Sequence, residues 1–82
     1  MPSTNPCNNF SANPGDVVVW TDIPPSGCTL SQDGNKAWPF NPRPPITLPS
    51  QVTITVKNNL PQGTYCFRVS CCKKAIVCVT IT

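Results

Sequence analysis

The chain ends in Thr64-Tyr65-Cys66-Phe67-Arg68-Val69-Ser70-Cys71-Cys72-Lys73-Lys74-Ala75-Ile76-Val77-Cys78-Val79-Thr80-Ile81-Thr82, and this stretch decides the fold. Tyr65, Phe67 and Val69 occupy every second position of its first half. Val77, Val79 and Ile81 do the same in its second half. A period of two marks a strand with one face in a core. The two runs are expected to pair as an antiparallel hairpin centred near Cys72.

The same pattern continues upstream. Val52, Ile54 and Val56 alternate with Thr53, Thr55 and Lys57, and Asn58-Asn59-Leu60-Pro61-Gln62-Gly63 then turns the chain. Asp16-Val17-Val18-Val19-Trp20-Thr21-Asp22 follows the turn Asn13-Pro14-Gly15 and is apolar on both faces in its middle, as a central strand should be. Weaker strand signals lie over 7–10, 28–32 and 46–48. Residues 33–49 form the longest irregular stretch. Eleven prolines and the absence of Glu leave little room for a helix. Short strands separated by turns predict an all-β sandwich, one domain over residues 1–82, with Trp20 and Tyr65 in its core.

Eighty-two residues bury only about 60–65 per cent of their unfolded surface, so a domain of this length needs staples. The chain has six cysteines to supply them. Bridges persist in oxidising compartments, which predicts a secreted or extracellular protein. Met1-Pro2-Ser3-Thr4-Asn5-Pro6 has neither the charged start nor the apolar stretch of a leader. The cysteine density therefore reads as a mature secreted form with an added Met1, the alternative being an intracellular chain with reduced thiols. The formal charge of +3 comes from scattered cations, Lys36, Arg43, Lys57, Arg68, Lys73 and Lys74. They make no stripe with interleaved aromatics, so nucleic acid is not expected as a partner. No apolar run reaches membrane-spanning length.

Two segments resemble the cupredoxin (plastocyanin-like) pattern. Pro14-Gly15-Asp16-Val17-Val18-Val19-Trp20-Thr21-Asp22, with Pro25 and Cys28 after it, is similar to the turn, aromatic-bearing strand, proline and first histidine ligand of that family. Gly63-Thr64-Tyr65-Cys66-Phe67-Arg68-Val69-Ser70-Cys71-Cys72 is similar to the strand that leads to its cysteine and second histidine ligands. The resemblance covers about half the chain and implies a small Greek-key sandwich. It also implies which residues replace the ligands. Cys28 stands for the first histidine, Val69 for the cysteine, and Cys72 lies near the second histidine. A blue-copper centre needs two imidazoles and a thiolate, and the chain has no histidine. No copper and no other cofactor is expected.

The resemblance brings the two histidine positions together at one end of the sandwich, which implies a Cys28–Cys72 bridge in place of the metal. Hairpin geometry adds Cys66–Cys78, equally far from the turn and both on the outward set. Cys7–Cys71 is what then remains. This is one among many pairings that six cysteines allow. The alternative use of the same sulfurs is a thiolate site in which Cys28, Cys71, Cys72 and one more hold Zn²⁺ or Cu⁺.

Material for catalysis is poor. There is no His or Glu, and Asp16, Asp22 and Asp33 sit in or beside turns. No enzyme is expected, and no small-molecule ligand. Trp38, Phe40 and Arg43, in a proline-rich stretch, are the candidate partner contacts; the competing reading has Trp38 and Phe40 plug the open side of the sandwich. The long, Thr-rich last strand is expected to offer an edge for pairing with another copy. The function expected is a secreted, non-catalytic structural or protein-interaction module that binds a protein or copies of itself, as in a fibre or surface layer. The alternative is a thiolate-based metal-binding protein.

Overall fold

A computed structural model describes residues 2–41, 43–48, 50 and 53–82. Nine strands follow in order: β1 Ser3–Thr4, β2 Phe10–Ala12, β3 Val17–Trp20, β4 Cys28–Gln32, β5 Phe40–Asn41, β6 Ile46–Leu48, β7 Thr53–Val56, β8 Gly63–Val69 and β9 Ile76–Ile81. They form two sheets, one ordered β1-β3-β7-β5 and the other β2-β9-β8-β4-β6. The fold is an all-β sandwich tied by three disulfides.

The C-terminal hairpin forms as its alternation demands. β8 and β9 pair antiparallel from Gly63 opposite Ile81 to Arg68 opposite Ile76. Phe67, Val69, Val77, Val79 and Ile81 are buried, and Tyr65 on the same side is half-buried. β3 lies between β1 and β7, a central position in its sheet. Its start is set by the turn before it. The Asn13 amide donates to Asp16 Oδ2 at 2.9 Å and Gly15 takes φ +84°. A Cβ at Gly15 would meet the Asn58 side chain at 2.8 Å, so only glycine fits there.

Two features differ from the sequence reading, and one lies partly outside the described residues. The weak strand expected over 7–10 is instead β2, beginning at Phe10, and β1 and β5 were not anticipated. Strands of two or three residues carry too little periodicity to be read. The strand expected over 51–57 is described from Thr53, and Gln51 and Val52 lie outside the described residues. The last strand offers no edge. β2 pairs parallel with β9, Phe10 opposite Val79 and Ala12 opposite Ile81, so β9 is interior.

Between the sheets sit all three Phe and both Trp residues. Trp20 meets Phe10, Phe40 and Phe67 edge-on, with centroids 5.5, 5.8 and 6.3 Å away. Trp38 meets Phe40 and Phe67 in the same way. No described residue accepts a hydrogen bond from the buried Trp20 indole N–H. An orphaned donor costs about 1–3 kcal/mol. Three edge-on ring contacts at about 0.5–1.5 kcal/mol each, on top of the buried area, offset that.

Phe40 is wholly buried at the centre of this cluster. Phe40→Ala is expected to lower the free energy of unfolding by about 3–5 kcal/mol, read from the midpoint of a urea transition. A loss under about 0.5 kcal/mol, the range of surface substitutions, would remove Phe40 from the core.

Candidate functional site

Chemistry-bearing side chains gather at the end of the sandwich where β8 gives way to β9. β8 ends at Val69, and residues 70–75 form bends rather than strand. Ser70 is fixed to β4 by a reciprocal pair: its amide donates to the Thr29 carbonyl at 3.0 Å, and its hydroxyl accepts from the Thr29 amide at 2.8 Å. Val69 N–H donates to Ala75 O at 2.8 Å and closes the loop. β4 and β8 pair Leu30 with Val69 and Ser31 with Arg68. Extending that register by two residues sets Cys28 opposite Cys71.

The structure joins Cys28 to Cys71, with Cα atoms 5.0 Å apart. Cys28 follows Gly27, whose φ is +84° and where a Cβ would meet the Leu48 carbonyl at 2.9 Å. This close approach lets the chain enter β4 at its first residue. Cys7 is joined to Cys72, Cα atoms 5.4 Å apart. Cys7 is held from the N-terminal side, its amide donating to Asn5 Oδ1 at 2.9 Å. The third bridge, Cys66–Cys78, lies across the hairpin with Cα atoms 4.0 Å apart and directly opposed partners.

Two of the expected pairings are therefore corrected. Cys28–Cys72 and Cys7–Cys71 are replaced by Cys28–Cys71 and Cys7–Cys72. The expected pairings exchanged the neighbours Cys71 and Cys72. The β4–β8 register decides between them, because the strand-like hydrogen bonding at Ser70 commits Cys71, not Cys72, to face Cys28. The role of Ser70 was missed, and its only signal is that register.

The two bridges touch. Cys71 Sγ and Cys72 Sγ lie 3.6 Å apart. Both sulfurs are in disulfides, so this is a non-bonded contact between bridges. The Sγ atoms of Cys7, Cys71 and Cys72 all lie within 4.8 Å of one another. Cys7 is exposed, Cys71 and Cys72 are half-buried, and Cys28 is buried.

The expected contact group of Trp38, Phe40 and Arg43 is not brought together at the surface. Trp38 is 6% and Phe40 0% exposed, while Arg43 is exposed. The pairing of β5 with β7, Phe40 opposite Val56, turns the ring inward. Trp38 and Phe40 belong to the core, and the folded chain does not offer them to a partner.

The three aspartates have separate duties. Asp16 caps the turn before β3, and Asp22, with φ +55°, follows its end. Asp33 bonds Lys36 Nζ at 3.1 Å and Arg68 Nε at 3.2 Å. The Lys36 hydrogen bond, then the charges of Lys36 and Arg68, hold its carboxyl below the ordinary value while desolvation opposes them. Lys36 also lines a shallow hollow of about 300 Å³ with Ala37, Thr64, Tyr65 and Cys66. The Tyr65 hydroxyl there is engaged, donating to Pro61 O at 2.7 Å.

No helix among the described residues is long and apolar enough to cross a membrane. No family model, curated protein or solved structure matches the chain.

Two predictions follow from this geometry. In the chain-entropy view, loss of Cys7–Cys72 by Cys7→Ala with Cys72→Ala costs about 4 kcal/mol, and loss of Cys66–Cys78 by the matching pair costs about 3 kcal/mol. The sequence separations of 65 and 12 set that order, and guanidinium unfolding of the two double variants measures it. The second concerns acid. A depressed folded-state pKa at Asp33 adds stability above the unfolded value that disappears as pH falls through the folded one. Asp33→Asn should flatten the acid limb of a Tm–pH curve, and parallel curves for the two proteins would end the idea.

Proposed function

We propose that this chain is a secreted, non-catalytic, cupredoxin-like module that works by structure and protein contact, with sulfur bridges where relatives of that pattern hold copper. One observation supports the reading. The pairs Cys28–Cys71 and Cys7–Cys72 lie side by side at the end of the sandwich where β8 gives way to β9. Copper of the blue type does not fit these residues. The chain contains no histidine, and each sulfur at that end is already bonded to another. Three bridges in so small a domain suit an oxidising environment outside the cell.

The reading extends to partners. The module binds another protein or a second copy of itself. Interior placement of β9 moves any strand pairing between copies to the edge strands, β1, β5, β2 and β6. β1 and β5 have two residues each. β6 has three, with Pro44 and Pro45 just before it. Short, proline-flanked edges resist open-ended stacking, which favours a discrete partner over a fibre.

A second reading has its own support. In the oxidised chain the Sγ atoms of Cys7, Cys71 and Cys72 lie within 4.8 Å of one another, and full reduction would free three thiols at that end, a donor set suited to a soft ion such as Zn²⁺ or Cu⁺. Intact-mass measurement separates the readings. The structural module is expected to run lighter than its reduced form by six hydrogens, one for each of its six cysteines, and to carry no metal. A protein purified with free thiols and a bound ion would replace the first reading by the second.

A further inference from the structure

The contact between the two bridges at the Cys7–Cys28–Cys71–Cys72 end is more than packing. Two disulfides that meet through adjacent residues have four sulfurs in one small volume. In the structure Cys72 Sγ is bonded to Cys7 and is 3.6 Å from Cys71 Sγ, which is bonded to Cys28. Cys7 Sγ is within 4.8 Å of both Cys71 and Cys72 Sγ. The exposures are graded from Cys7 at the surface to Cys28, 2% exposed, in the core. The Cys66–Cys78 bridge stands apart across its own hairpin.

We propose that these four cysteines form a thiol–disulfide exchange centre, entered by a small external thiolate at Cys7, that interconverts Cys7–Cys72 with Cys28–Cys71 and Cys7–Cys71 with Cys28–Cys72. The proposal goes beyond the structural-module reading and does not depend on it. The external thiolate attacks Cys7 Sγ. A mixed disulfide forms, the Cys7–Cys72 bond breaks, and its electron pair leaves on Cys72. Lys73 and Lys74 follow Cys72 directly in the chain, and neighbouring cations favour a thiolate. The Cys72 thiolate attacks Cys71 Sγ, its neighbour at 3.6 Å. The Cys71–Cys72 bond forms and the Cys28–Cys71 bond breaks, leaving the pair on Cys28.

A thiolate at the buried Cys28 is poorly solvated and passes its charge on. It attacks Cys72 Sγ, which makes Cys28–Cys72 and frees Cys71 as thiolate. Cys71 then attacks Cys7 Sγ of the mixed disulfide, makes Cys7–Cys71, and expels the external thiolate. Two bridges are exchanged, nothing is oxidised or reduced overall, and the entering thiol is returned. Stopped before the last step, the same sequence stores the external thiol on Cys7.

The oxidised full-length chain, treated with reduced glutathione, tests this. One portion is quenched in acid, its free thiols are capped with N-ethylmaleimide, and electron-transfer fragmentation locates the caps. A second portion is reduced partially with a phosphine in acid, where no thiolate exists to carry exchange. The phosphine arm is expected to cap Cys7 and Cys72 alone. The glutathione arm is expected to move caps onto Cys28 and Cys71, with glutathione on Cys7. Caps confined to Cys72 in the glutathione arm overturn the proposal, as do caps on Cys28 in both arms or first caps on Cys66 and Cys78.

Discussion

Antiparallel register across β4, β8 and β9 is the constraint from which the covalent frame follows. In that ladder Cys66 stands opposite Cys78, and the register of β4 against β8, carried past Val69 by Ser70, sets Cys28 against Cys71. A slip of one residue would send each side chain to the other face. It would bury the Arg68 side and expose Phe67. The apolar face therefore guards the register, and the register places the sulfurs. Cys7–Cys72 then ties the N-terminal segment to the same end.

The aromatic cluster does the corresponding work in the interior. Each sheet contributes rings, Trp20 and Phe40 from one and Phe10 and Phe67 from the other, and they meet mostly edge to face. Large side chains from few positions fill a core that so short a chain would otherwise leave thin. Trp38 completes the packing from just ahead of β5. Residues that look like a contact surface in a proline-rich loop are thereby spent on the interior.

Legibility in the sequence tracked periodicity. β4 and β6 were located at their observed ends, and β7, β8 and β9 to within a residue or two, because apolar positions recur at every second residue there. β1, β2 and β5 were not, because strands of two or three residues are defined by their partners and not by a pattern of their own. Cys66–Cys78 was readable from the hairpin alternation alone. The choice between Cys71 and Cys72 as the partner of Cys28 was not readable, since it rests on two hydrogen bonds at Ser70. Of the two readings of Trp38 and Phe40, the structure takes the one in which they fill the sandwich, because a two-residue strand turns Phe40 inward; nothing in Trp38-Pro39-Phe40 announces that strand.

The N-terminal residues join both layers, β1 beside β3 in one sheet and β2 beside β9 in the other. β2's partner, β9, lies more than sixty residues further along the chain, so the second sheet cannot complete its β2 edge until both segments are present. Such distant pairing is slow because the loop entropy is spent before the contacts form. Until β2 docks, the outer edge of β9 is unpaired, so the partly folded chain is most exposed to its neighbours along that one strand, and a chaperone or disulfide catalyst has a defined edge to shield.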